Sequence, residues 1–318
     1  MNDPLAELTT NPRVPLPEPI PRARAAILAA VDDLLAVPDA ALERPWRWRP
    51  GDEIDADVRY GFYRIHERLE EAITAIVRGG AAHPEPGRPE PAVPPLAAAT
   101  AARWELRGAL VPLPDSAWDA DPGGGEWSIR RTVGHIISGQ RSYGWTTAWF
   151  LSRAGRPDAG EYPPDDAFPG GPDEESEADG DVASVLARLD ALVDQAAECF
   201  GSLDAAALAA PGRWSNLPVT VDFRLGRLGS HIREHTIQVD KTVAMLGLPT
   251  SEVGRLVRLI LSTFGRLEAL VLGRPMPAAS RAALIVLDAA EAAAATAAAV
   301  RSAAAAGPAS ESAGFSEA

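Results

Sequence analysis

Five histidines are present in this chain of 318 residues, and three of them have the setting for shared chemistry. His231 and His235 lie four apart in GRLGSHIREHTIQ. On a helix that spacing stacks two side chains on one face. Leu225, Leu228, Ile232, Val239, Val243 and Leu246 recur around them at helical intervals, so the two imidazoles border or enter the face that packs inward. Buried polar rings need partners. One metal ion satisfies both at once; water or carboxylates would satisfy them separately. His135 stands apart, in WSIRRTVGHIISGQRSYGW. Its neighbours on the same helical face, Thr132, Ser138, Gly139 and Ser142, are small and leave room for a metal, water or ligand. His66 sits at the edge of an apolar helical face and reads as structural. His83 falls in a Pro/Gly linker and reads as solvated.

The elements that must position these rings are all helical. Apolar spacing predicts helices over 21–37, 57–78, 96–110, 129–153 and 181–200. A long helix is expected within Trp214–Leu246, another from a Thr250 or Ser251 cap to about Leu272, and an alanine-rich one over 278–306. Ser128 is the natural cap of the helix that carries His135. No alternating pattern competes as strand. The expected organisation is an extended segment over 1–20, a helical hairpin over 21–80, a Pro/Gly linker over 81–95 and a four-helix bundle over 96–248. C-terminal helices over 249–306 would pack with the first hairpin as a second, degenerate bundle, before a disordered tail over 307–318. The prolines and glycines of the linker argue against helix there. The acidic, Gly/Pro-rich stretch 155–180 reads as a solvated loop.

A repeat supports this organisation. LLAVPDAALERPW, LVPLPDSAWDAD and FGSLDAAALAAPGRW are three versions of one turn, each leading from a helix past a tryptophan into the next helix. Each unit is a helical hairpin, and two hairpins bury their apolar stripes by forming a four-helix bundle. In such a bundle the fourth and sixth helices can face one another, which brings His135 to His231 and His235. Three neutral imidazoles make a divalent-metal site that keeps a position open for water or substrate.

The composition excludes several function classes. Net charge is −14, with no basic run, so the footprint that nucleic acid requires is missing. No apolar stretch reads as long and pure enough to span a bilayer. The N-terminus lacks the basic segment and apolar core of a secretory signal. Cys199 is the single cysteine, which rules out an intrachain disulfide, and it reads as a small core residue. A cytoplasmic protein with a small-molecule ligand fits these features, and the outer helices could join two copies as a homodimer.

Trp127-Ser128 leading into His135, and the later helix with His231 and His235, resemble the DinB-like superfamily of metal-binding four-helix bundles. The resemblance spans about residues 96–246. It is similar in fold to bacillithiol transferases and mycothiol-dependent maleylpyruvate isomerases. The resemblance implies His135, His231 and His235 as ligands of a divalent metal, zinc or nickel. It also implies a low-molecular-weight thiol such as mycothiol, activated as a thiolate for transfer or isomerisation of a small electrophile. The DinB-like part of ergothioneine-synthesising oxygenases differs, because its His-x-x-x-His-x-Glu helix has Ile237 here in place of the glutamate. A metal-dependent hydrolase in the same pocket, and a non-catalytic module stabilised by its metal, are the alternatives. Arg224 and Arg227 precede His231 by seven and four residues, and either could hold a carboxylate. Arg227 and Tyr143 are the candidate substrate-binding residues. Arg224 is expected instead to pair with Asp222 or the acidic loop, or to reach out to solvent, and Glu234 is expected to face away from the site.

Overall fold

The computed structural model describes residues 13–47, 56–82, 91–164, 167 and 172–306. His83, the centre of the linker, most of the N-terminal extended segment and the C-terminal tail lie outside the described residues. Eight long helices carry the fold: α1 (Pro19–Leu35), α2 (Val58–Ala82), α3 (Val93–Leu110), α4 (Ile129–Ser152), α5 (Val182–Phe200), α6 (Val221–Met245), α7 (Glu252–Ala269) and α8 (Met276–Ala305). Among the described residues the protein is all-α apart from two short antiparallel strand pairs.

Capping explains where several helices start. Ser128 accepts from the backbone N–H of Arg131 at 3.2 Å, Asp181 from Ser184 at 2.7 Å and Ser251 from Gly254 at 2.9 Å. Each bond satisfies a donor that a helix N-terminus leaves unpaired. Two boundaries differ from the sequence expectation. Helix α2 runs through Gly79 and Gly80 to Ala82, because glycine at a helix end costs only about 1 kcal/mol. Helix α3 starts at Val93 and takes Pro94 and Pro95 in its first turn, where the missing N–H groups have no intrahelical role.

The three repeated turns share one construction. Asp39–Ala41 and Asp115–Ala117 form single 3-10 turns, and Asp204 caps the short helix Ala205–Leu208. The first residues of the following helices then bond back to the turn, Val58 N–H to Arg44, Arg130 N–H to Trp118 and Val221 N–H to Ala210, at 2.9 to 3.0 Å. Two turns also pair antiparallel strands, β1 (Pro45–Trp46) with β2 (Ala56–Asp57), and β3 (Pro211–Trp214) with β4 (Leu217–Thr220). No strand was expected, and strands of two and four residues are too short to show alternation in sequence. Helix α6 therefore starts at Val221, after this hairpin, and not directly after Trp214.

Two apolar cores result. Ile27, Leu34, Phe62, Leu69, Ile260, Phe264, Val286 and Ala290 bring α1, α2, α7 and α8 together. Leu96, Leu106, Val133, Ile137, Leu189, Phe200, Leu225 and Ile232 bring α3, α4, α5 and α6 together. Helix α8 is, by length and composition, long and apolar enough to cross a bilayer, which corrects the expectation that no stretch is. Its apolarity comes mostly from alanine, and one face of it is buried against α1 and α2.

Helix α3 joins the two cores. At Gly229 of α6 a Cβ would lie 3.0 Å from the backbone of Ala98 and Ala99, and at Gly265 of α7 it would lie 2.8 Å from the Cβ of Trp104. Bare backbone at these two points lets α6 and α7 approach α3 from both sides. Beside this junction lies a buried ionic cluster. Arg24 of α1 meets Asp194 at 2.6 Å and Glu268 at 2.7 Å. Arg103 meets Asp194 at 2.6 Å and also pairs with Glu268, while Arg107 meets Asp190 at 2.6 Å. The Trp104 Nε1–H donates to Glu268 at 3.0 Å.

Candidate metal centre

Helix α4 and helix α6 lie against each other, tied by the Gln140 amide, which donates to the Leu228 carbonyl oxygen at 3.0 Å. Across that contact the three histidines converge. The Nε2 atom of His231 lies 3.3 Å from His135 Nε2 and 3.1 Å from His235 Nε2. The possible ligand atoms of the three rings all fall within 4.8 Å of one another. His231 is 3 % exposed, while the other two are half-buried and open the centre on one side. Gly139 makes the space: a Cβ there would lie 2.6 Å from His231 Cε1.

The outer nitrogens of two rings are oriented. His135 Nδ1–H donates to Glu174 Oε1 at 2.7 Å, and His235 Nδ1–H donates to Gln238 Oε1 at 2.8 Å. Each bond places the proton on Nδ1 and leaves the lone pair on Nε2 facing the centre. His231 Nδ1 is buried with no hydrogen-bond partner. Lone pairs that face one another at 3 Å repel, and a single cation would reconcile all three. The donor set therefore fits a divalent ion of the zinc or nickel kind.

The electrostatics favour neutral rings at His231 and His235. The His231 pKa is lowered to about 3, first by burial and then by the neighbouring His235 and His135. Burial also lowers that of His235. Unfolding exposes His231, whose ordinary value is 6.5, so the unfolded chain takes up the proton more readily. The His231 contribution to stability without metal is therefore fully present above about pH 6.5 and is lost as pH drops from there toward 3. Thermal unfolding of chelator-treated protein across that range should show this fall, and His231→Ala should flatten part of it. Parallel profiles for the two proteins would contradict the assignment.

Sequence reasoning missed how the acidic stretch is held. Residues 172–180 stay largely exposed, as expected, but they are pinned along α4 and do not form a free loop. Asp173 caps the short helix Glu174–Glu177, Glu174 reaches His135, and buried Glu177 accepts from Arg141 Nε at 2.5 Å. Arg130 Nη1 donates to the Ala178 carbonyl oxygen at 2.7 Å. The usable signal was DEESE, an aspartate cap before a glutamate-rich turn. Glu174→Ala should weaken metal affinity roughly 10- to 100-fold, the usual cost of losing such an outer partner. A chelator-competition titration measures this, and an unchanged affinity would count against the pairing.

The remaining candidates form one wall. The Tyr143 ring lies 5.1 Å from that of His231 and 5.0 Å from that of Trp214. Burial raises the Tyr143 pKa, so the phenol keeps its proton at neutral pH. The Arg227 guanidinium lies 5.0 Å from Trp214 and donates to both oxygens of Glu234 at 2.7 and 2.8 Å. Glu234 therefore turns toward the site side of α6, contrary to expectation, because a seven-residue step returns to nearly the same helix face. Arg224 pairs with neither Asp222 nor an acidic residue among the described ones; it is buried against Phe150 and Trp214. The Trp127 ring lies 5.1 Å from that of His135. His66 is far from this group in the fold, its Nδ1 facing Thr263 Oγ1 of α7 at 3.1 Å.

Residues 98–239 match the sequence model of the DinB superfamily. This segment belongs to that superfamily. No curated protein and no solved structure is significantly similar to the chain. The DinB segment covers α3 to α6 nearly in full, and all three histidines fall inside it. Members of the superfamily generally bind metal, in keeping with the histidine cluster.

Proposed function

We propose that the chain is a divalent-metal-dependent enzyme whose DinB segment activates a low-molecular-weight thiol against a small electrophile. The convergence of three Nε2 atoms from α4 and α6, with the centre open on one side, carries this reading. His135, His231 and His235 would hold the ion. A bound divalent cation lowers the pKa of a thiol, or of water, that reaches its open position.

The protein's own groups account for the rest. Glu174 and Gln238 fix two ring orientations, so no reorganisation of the ligand set is needed when the ion arrives. The Trp127 ring flanks His135 and the Tyr143 ring flanks His231, so both border the centre. The Tyr143 phenol, protonated at neutral pH, is a hydrogen-bond donor placed beside His231. Arg227, already paired with Glu234, lines the same wall and steadies Trp214. A cytoplasmic setting, where such thiols are abundant and reduced, suits this chemistry.

Zinc- or nickel-loaded protein, incubated with mycothiol or a cysteine-based analogue and an aryl halide, should form the thioether as the carbon–halogen bond breaks, releasing halide and the thiol proton. Turnover should require both thiol and metal and be lost in His231→Ala. Conjugation that survives chelation would overturn the mechanism. Turnover that needs metal but no thiol would replace it with hydrolysis.

A further inference from the structure

Arg224 is the deeply buried arginine of the site wall that has no acidic partner among the described residues. The other deeply buried arginines have acidic partners: Arg103 has Asp194 and Glu268, and Arg107 has Asp190. Arg227, one turn along α6, is neutralised by Glu234. Arg224 is 3 % exposed. Its Nε donates to Thr147 Oγ1 at 3.2 Å and its Nη1 to the Arg213 carbonyl oxygen at 2.6 Å. Its carbon lies 5.1 Å from the Phe150 ring and 5.8 Å from that of Trp214. Among the described residues no carboxylate pairs with it, and its Nη2 donates to none of them.

Burying an unpaired cation is costly, and a hydrogen bond to a carbonyl oxygen offsets only part of that cost. Burial lowers the Arg224 pKa to about 10, which leaves the group charged at neutral pH. The position is suggestive as well. Seven residues separate Arg224 from His231, so the two lie within roughly 20° on one face of α6, about 10 Å apart along its axis. The wall between them is continuous: Trp214 contacts Arg224, Arg227 and Tyr143, and Tyr143 contacts His231.

We infer that Arg224 is the seat for a carboxylate of the small molecule whose reacting end lies at the three histidines. With Nε and Nη1 engaged, Nη2 is left to donate to a carboxylate oxygen, and the one guanidinium charge matches the single charge of one carboxylate. A phosphate dianion would keep a second charge uncompensated here, since Arg227 is already paired. The nature of the reacting end rests on the function proposed above; the carboxylate seat rests on Arg224 itself.

Calorimetric titration of the full-length protein with 4-phenylbutyrate, and with the uncharged 4-phenylbutanamide, tests this in chelator-treated and zinc-loaded forms. The carboxylate should bind about tenfold more tightly or better in both forms, the worth of a charge-assisted hydrogen-bond pair. Arg224→Gln should reduce the carboxylate to the level of the amide and leave the amide unchanged. Should that variant fail to fold by circular dichroism, the comparison in the unaltered protein still decides, and Arg224→Lys, which keeps the charge, should retain part of the preference. Equal affinities in the unaltered protein would overturn the inference. So would a preference that appears only with zinc and is indifferent to Arg224→Gln, because the carboxylate would then sit on the metal. A carboxylate preference that persists while thiol-dependent turnover fails would remove the proposed reaction and leave this seat standing.

Discussion

His231→Ala should abolish stoichiometric metal binding while the eight helices persist. The ring is the hub of the cluster, since its Nε2 is the atom near both His135 Nε2 and His235 Nε2. Without it, two half-buried imidazoles remain, too few to hold an ion against solvent. The loss should exceed the roughly 10- to 100-fold expected for an outer partner such as Glu174. Folding should suffer far less. The ring makes no hydrogen bond at Nδ1 and touches mainly Tyr143 and the other two imidazoles, so the change in stability should fall in the ordinary range of about 0.5–3 kcal/mol. Elemental analysis of untagged protein, with circular dichroism alongside, separates the two effects. His66→Ala is the control and should keep its metal, because that ring faces Thr263 in the other core. Full metal content in the His231 variant would refute the centre.

Glu268→Ala should be among the most destabilising single substitutions available. Glu268 is 2 % exposed and serves Arg24, Arg103 and Trp104 at once. Burial tends to raise its pKa, but the Arg103 and Arg24 charges outweigh that and hold it below the usual carboxylate range. Removing the carboxylate leaves Arg24 and Arg103 with Asp194 and, 3.9 Å from Arg103, Asp190, and an indole N–H without its acceptor. Breaking a buried ionic group in this way costs about 3–5 kcal/mol. Urea unfolding at neutral pH measures it, and a loss below about 1 kcal/mol would mean that the cluster is solvated. The consequence reaches the metal centre indirectly. The cluster fastens α1 and α7 to α3 and α5, and α3 in turn packs on the helix that holds His231 and His235.

Much of this protein was legible in its sequence because the signals are local. Helical periodicity does not depend on what the helix packs against, so the helix that carries His135 and the repeated aspartate turns could be read from neighbouring residues. The pairing of histidines at four-residue spacing is likewise a property of one helix. A four-helix bundle allows His135 to meet the other two, and the structure brings the three together.

Partnerships between segments distant in sequence were not legible. Glu174 lies 39 residues from His135 in an acidic stretch whose composition alone suggested solvent. Arg224 has acidic residues near it in sequence, yet the β3–β4 hairpin buries it away from all the described ones. Glu234 was read from its angle to His235, whereas its long side chain reaches back two turns to Arg227.

The sequence by itself determined the all-α fold, the three imidazoles and the helices that present them, because backbone periodicity and capping are written within a few residues. Only the tertiary structure decided which charges are neutralised, which ring nitrogens are oriented and which guanidinium stays unpaired. Those outcomes depend on burial and on contacts across tens or hundreds of residues, where a charge costs little or much according to what the fold sets beside it.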